Sequence, residues 1–271
     1  MNHPTRPTTS TEPQPALPRT RREADERPRT PRSKPTGVPL SVWLTEPLAG
    51  CCPTCETPIG SACAHRLPLG LAKQIVEAFT ARGDLVYVPE AGNATCLIAA
   101  VQTGRKVIAY APTHQGATLA YDTLHTHAVQ VASLAVLRRG APGSLPPAAD
   151  RLGGQAQLAI AAPHAFTTPA ELAALTESCA RALKPDGVLV ITTRQKTGQD
   201  TAGHLVAHAQ AAGLVYLQHI AVVEATVTDG HLAPAVPARV QHRRDCVCHH
   251  SQPVPGRHAL IHNDLVVLVK P

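Results

Sequence analysis

From Leu69 to the end, the sequence alternates short β-type apolar runs with stretches of helical length, and this alternation restricts the fold more than any other feature. Leu69–Ala81 (LGLAKQIVEAFTA) has helical periodicity, and Gly83 separates it from the β-type run Asp84–Pro89 (DLVYVP). A helix over Thr95–Thr103 leads to a strand at Lys106–Ala111, a helix from about Gln115 to His127 and an apolar run near Leu134–Leu137. Gln157–Ala162 reads as a strand and Ala170–Leu183 as a helix. Lys184-Pro185-Asp186-Gly187 stops that helix, because Pro and Gly do not continue one. Val188–Thr193, a helix at Thr201–Ala212, a long strand at Leu214–Ala225 and Asp264–Val269 complete the series. Strands alternating with helices of about 10–15 residues predict an α/β fold with a mostly parallel, doubly covered sheet. The two late strands with no helix between them predict an antiparallel hairpin on one edge.

Aromatic residues make up only 3% of the chain while hydrophobic residues make up 44%, so Ala, Val, Leu and Ile must build the core. Residues 1–39 depart from this pattern. They hold nine of the 26 prolines and almost no large apolar side chain, too little to offset the entropy of ordering them. They are expected to be a disordered basic tail, with eight Lys/Arg against four Asp/Glu in a chain of net charge +6. Arg19, Arg21, Arg22, Arg27, Arg29, Arg32 and Lys34 form its basic arm, either a solubilising tail or a non-specific DNA or RNA contact. The remainder is close to neutral. No run of about 18 apolar residues exists, so no membrane partner is expected, and the polar first residues lack a secretory h-region. A cytoplasmic location follows, and there eight cysteines favour metal ligation or buried thiols over disulfides.

Residues 40–66 carry CCPTCETPIGSACAH, in which four cysteines fall within thirteen residues. Cys52 and Cys55 form a C-x2-C pair, and Cys63 and His65 follow a Pro/Gly turn. Zinc favours such a tetrahedral sulfur and nitrogen set, so this segment is expected to be a Cys/His zinc knuckle. It resembles small knuckles of actinobacterial and phage proteins. Cys246, Cys248, His249 and His250 form a second cluster, which completes the first site, forms another, or is incidental among 15 histidines. Cys96 and Cys179 fall on predicted helices as core thiols.

Strand, loop and helix at ARGDLVYVPEAGNATCLIAAVQTGRKVIAYAP, then LAIAAPHAF, ALKPDGVLVITT and His262-Asn263-Asp264-Leu265-Val266-Val267-Leu268, carry a family resemblance. From His65 to Pro271 the chain resembles the bacterial DNA N-4/N-6 amino-methyltransferases, a family related to tRNA guanosine methyltransferases. The resemblance implies a Rossmann-like class I methyltransferase fold over residues 67–271, although alternation alone leaves other doubly wound folds open. It also implies S-adenosylmethionine as cofactor, held by Pro89, Glu90, Gly92, Thr95 and Thr113. Ala162-Pro163-His164-Ala165 falls on the family's catalytic tetrapeptide, where a proline carbonyl orients the acceptor amine and an aromatic ring stacks on the flipped base. It keeps one proline, Pro163, and His164 and Phe166, the latter one residue late, either line the acceptor site or merely fill space.

The departures are specific. Val88 stands where the family has Asp and Ala94 where it has a second Gly; Tyr110-Ala111-Pro112 lacks the acid that would hold the ribose hydroxyls. Glu90 offers a displaced carboxylate. The expectation is therefore a methyltransferase-like protein of the nucleic-acid group with weakened or lost catalysis. Its rivals are a non-catalytic, zinc-containing nucleic-acid-binding or interaction module on the same fold, and a small-molecule methyltransferase.

Overall fold

The computed structural model describes residues 42–45, 67–92, 94–140, 153–163, 168–193, 201–234 and 262–271, all within one compact unit, Pro39–Pro271. The basic tail lies outside the described residues. Among the described residues five α-helices accompany nine strands that form one sheet: β1 (Val42–Thr45), β2 (Leu85–Val88), β3 (Lys106–Ala111), β4 (Ala135–Arg139), β5 (Ala156–Ala161), β6 (Leu183–Thr193), β7 (Val215–Thr228), β8 (His231–Pro234) and β9 (His262–Val269). The helices are α1 (Leu69–Phe79), α2 (Thr95–Gln102), α3 (His114–Ala128), α4 (Pro169–Ala182) and α5 (Thr201–Ala211). Among the described residues no helix is long and apolar enough to cross a membrane.

The strand order is β1-β7-β9-β6-β5-β2-β3-β4, with β8 paired to β7. Neighbours from β6 through β5, β2 and β3 to β4 are parallel. The expected antiparallel pair is β7 and β9, and β9 is inserted between β6 and β7, antiparallel to both. Outside β7 the short strand β1 forms the edge, parallel to it. Sequence periodicity missed both β1 and β8, each only four residues long.

Alternation of side chains along the strands divides the core into two layers. On one face α1, α2 and α3 cover Val86, Val88, Val107, Ala109, Leu158 and Val267; on the other α4 and α5 cover Tyr87, Ala159, Leu189, Ile191 and Val266. Small aliphatic side chains fill both layers, as the composition requires. Trp43 anchors β1, stacking on Phe79 of α1 with ring centroids 6.2 Å apart.

Helix α4 carries its own start signal. The Thr168 hydroxyl accepts from the Glu171 amide, the Glu171 carboxylate accepts from the Thr168 amide at 2.7 Å, and Pro169 opens the helix. Its end differs from a simple proline stop. The chain enters β6 at Leu183 directly, and Asp186 turns with φ 61°. Gly187 is required there, since a Cβ would lie 2.7 Å from the Lys184 carbonyl oxygen and 2.9 Å from that of Ala156.

Candidate cofactor cleft at the carboxyl edge of the sheet

From β2 the chain moves outward through β3 to β4, then returns to the other side of β2 as β5. The order reverses between β2 and β5, and at such a switch point open α/β sheets leave a crevice beyond the carboxyl ends of the strands. Three neighbouring strand ends bring the expected residues there: Pro89 and Glu90 after β2, Thr113 after β3 and Pro163 after β5.

The β2–α2 loop is a tight left-handed turn. Gly92 has φ 52° and Ala94 has φ 64°. The Ala91 amide donates to the Tyr110 carbonyl at 2.6 Å and the Ala94 amide to the Ala91 carbonyl at 2.9 Å, which ties the turn to β3. Ala94 thus adopts a backbone conformation that favours glycine, at a cost of about 1–2 kcal/mol for an L side chain in that region. It is fully buried at the start of α2 and offers that helix no side-chain cap. Gly92 and Thr95 stay half-buried at the cleft.

The absent acids have a packing explanation. Val88 and Ala111 are each 1% exposed and belong to the core layer beneath α1 and α2. A carboxylate at either place would be buried among aliphatic groups. Thr113 is exposed, but its hydroxyl caps α3 by accepting from the Gly116 amide at 3.0 Å. Glu90 is half-buried, with its Oε2 shielded from solvent. Its carboxylate is close enough to the fully buried Cys179 of α4 to affect it: burial pushes that thiol up, and the Glu90 charge pushes it further, against the opposing influence of Arg181. On α2, burial pushes the Cys96 thiol up to about 12. Both thiols are kept neutral, as core cysteines should be.

Sequence reasoning overlooked a polar element under the cleft. The Tyr87 hydroxyl meets the Ser178 hydroxyl of α4 at 2.5 Å, and the Tyr87 ring stands edge-on to Tyr110 with centroids 5.9 Å apart. Both tyrosines are buried. With only four tyrosines in the chain, two on adjacent strands were the available signal.

The other expected site residues, His164, Phe166, Cys52, Cys55, Cys63 and His65, lie outside the described residues, as do Cys246, Cys248, His249 and His250. Among the described residues no group of three or more His, Cys, Asp and Glu could hold a metal ion.

No protein-family model and no curated protein matches the sequence. Solved structures do. The [4+2]-cyclase SpnF aligns with a TM-score of 0.51 and 15% identity over 75% of this chain and 80% of its own. A predicted O-methyltransferase, protein Atu636 from Agrobacterium tumefaciens, aligns with a TM-score of 0.51 and 12% identity over 75% and 81%. The Burkholderia thailandensis 1,6-didemethyltoxoflavin-N1-methyltransferase, solved with its substrate and S-adenosylhomocysteine, aligns with a TM-score of 0.50 and 13% identity over 78% and 79%. The chain has the Rossmann-like class I methyltransferase fold. A cyclase among these structures shows that the fold alone does not name a reaction.

Proposed function

We propose that this protein binds S-adenosylmethionine in the β2–β5 cleft and belongs functionally with the methyltransferases that act on nucleic-acid amines, with weakened catalysis. The observation that carries the reading is the left-handed turn at Gly92 and Ala94, placed by strand order at the switch point and tied to β3. Such a turn lets backbone approach a ligand closely, and its geometry persists although one glycine has become alanine. The residues fit the cofactor as a backbone cradle: Pro89, Gly92 and Thr95 would line it, and Glu90 would supply the one carboxylate. The cofactor would contribute an electrophilic methyl group. The protein would hold the acceptor amine in line with it, a positioning task assigned to Pro163, His164 and Phe166. With Val88 and Ala111 in the acid positions, two charge-assisted hydrogen bonds of roughly 1.5–3 kcal/mol each are lost, which weakens binding by about two orders of magnitude or more. Titration calorimetry should find weak, submillimolar affinity for S-adenosylmethionine, abolished by Gly92→Val. Unchanged affinity in that variant would overturn the reading.

We further propose that Cys52, Cys55, Cys63 and His65 hold zinc, a donor set of the soft and borderline type that zinc prefers, and that the basic tail contacts DNA or RNA. Purified full-length protein should carry about one zinc per chain. It should also bind oligonucleotides in a salt-sensitive way that is lost on removing residues 1–39. Protein free of zinc without chelator, or binding that survives the truncation, would refute the corresponding half.

A further inference from the structure

The ribose end of the same cleft carries the opposite charge to the one its fold relatives would suggest. Where an acid at the end of β3 would accept from ribose hydroxyls, the chain has Ala111-Pro112-Thr113. The neighbouring strand ends in two arginines. Tyr110 pairs with Arg138 and Ala111 with Arg139, and the Gly140 amide donates to the Ala111 carbonyl at 3.0 Å, which fixes the end of β4 against the end of β3. Arg138 is half-buried, with Nη1 3.5 Å from the Tyr110 hydroxyl, and Arg139 is exposed. From Lys106 to Gly140 the single acidic residue is Asp122. It lies eight residues into α3, about 12 Å along the helix from its start. Nothing in this stretch neutralises the pair at the strand ends.

In dinucleotide-binding α/β folds an acid at this place selects a free ribose diol, while an arginine nearby accommodates a ribose phosphate. The guanidinium matches a phosphate with two parallel donors. Adjacent strands lie about 4.8 Å apart, a gap that an extended arginine side chain spans. We infer that Arg138 and Arg139 make this cleft selective for a free adenine nucleotide with a phosphate on its ribose 2′ or 3′ oxygen, which competes with the unphosphorylated adenosyl cofactor. The inference rests on the reading that an adenosyl ligand enters the β2–β5 cleft and lays its ribose over the end of β3, and it adds what that reading lacks, a second ligand class at the same place.

Calorimetry on the full chain separates the two. The probes are adenosine, S-adenosylhomocysteine, and adenosine 2′- and 3′-monophosphates. At low salt at least one monophosphate should bind ten-fold or more tighter than adenosine and displace S-adenosylhomocysteine. Arg139→Ala should remove most of that gain and Arg138→Ala/Arg139→Ala all of it, with adenosine affinity unchanged; an unaltered melting temperature of the exposed-site single variant shows that folding is not the cause. If S-adenosylhomocysteine binds and a ribose phosphate adds less than three-fold, the inference falls and the cofactor reading stands. Failure of every adenosine compound to bind removes both. A phosphate gain that survives in the double variant overturns the assignment to these arginines.

Discussion

The two rims of the sheet are built on different terms. At the amino rim two cationic side chains, Arg105 and Lys270, find carbonyl partners. Arg105 is 7% exposed and donates through Nε to the Thr80 hydroxyl at 3.0 Å, through Nη2 to the Thr80 carbonyl at 2.7 Å and through Nη1 to the Thr103 carbonyl at 2.5 Å. One guanidinium thereby fastens the ends of α1 and α2 to the start of β3. Lys270 does the same for α4, donating at 2.7 Å to the carbonyls of both Ala180 and Leu183, where the helix leaves its last acceptors open. The carboxyl rim instead holds a buried alanine in a left-handed turn, a partly buried carboxylate near a buried thiol, and an adjacent arginine pair. A left-handed alanine and an adjacent arginine pair thus stand at the carboxyl rim, where the proposed ligand site lies, while the opposite rim carries stabilising contacts, a division expected when a rigid scaffold supports a site.

The sharpest way to break this comparison is at Arg105. Replacing it with Ala removes three hydrogen bonds from a charged donor and should cost about 3–5 kcal/mol. That corresponds to a fall of about 10 °C in melting temperature. Ligand affinity at the far rim should not change. A loss below about 1 kcal/mol in thermal or denaturant unfolding would show that the clasp is not a fastening at all. A smaller effect is expected at Lys270, where Lys270→Met leaves two carbonyls of α4 without their donor and should cost about 1–3 kcal/mol, again without altering ligand binding. The smallest effect has the opposite sign. Ala94→Gly relieves the left-handed strain and should stabilise the protein by about 1 kcal/mol, the relief being partly offset by the freer unfolded chain. Destabilisation by that change would contradict the picture of a strained carboxyl rim.

The order in which the elements could be read from sequence follows from the range of the forces that make them. Amphipathic helices such as Leu69–Phe79 and strands such as Lys106–Ala111 are set by local side-chain periodicity, and their bounds were legible to within a few residues. Gly92 was legible through the family resemblance, as a place where backbone approaches a ligand, and its φ of 52° suits a residue without a Cβ. The left-handed backbone of Ala94 was not, because it depends on the folded loop, whose Ala91 amide bonds to the Tyr110 carbonyl of β3 and whose Ala94 amide bonds to the Ala91 carbonyl.

By itself the sequence determined the strand and helix series, an aliphatic core and the apolar residues at Val88 and Ala111. Tertiary structure decided the remainder. Whether a four-residue run such as Val42–Thr45 is a strand depends on pairing with β7, about 180 residues away, and on the Trp43–Phe79 stack. Insertion of β9 between β6 and β7 likewise depends on long-range pairing that periodicity does not encode. The arginines at the end of β4 acquire meaning only through their register with Ala111 and Tyr110. Charge is written along the chain, but the place where it acts is set by which strands lie side by side.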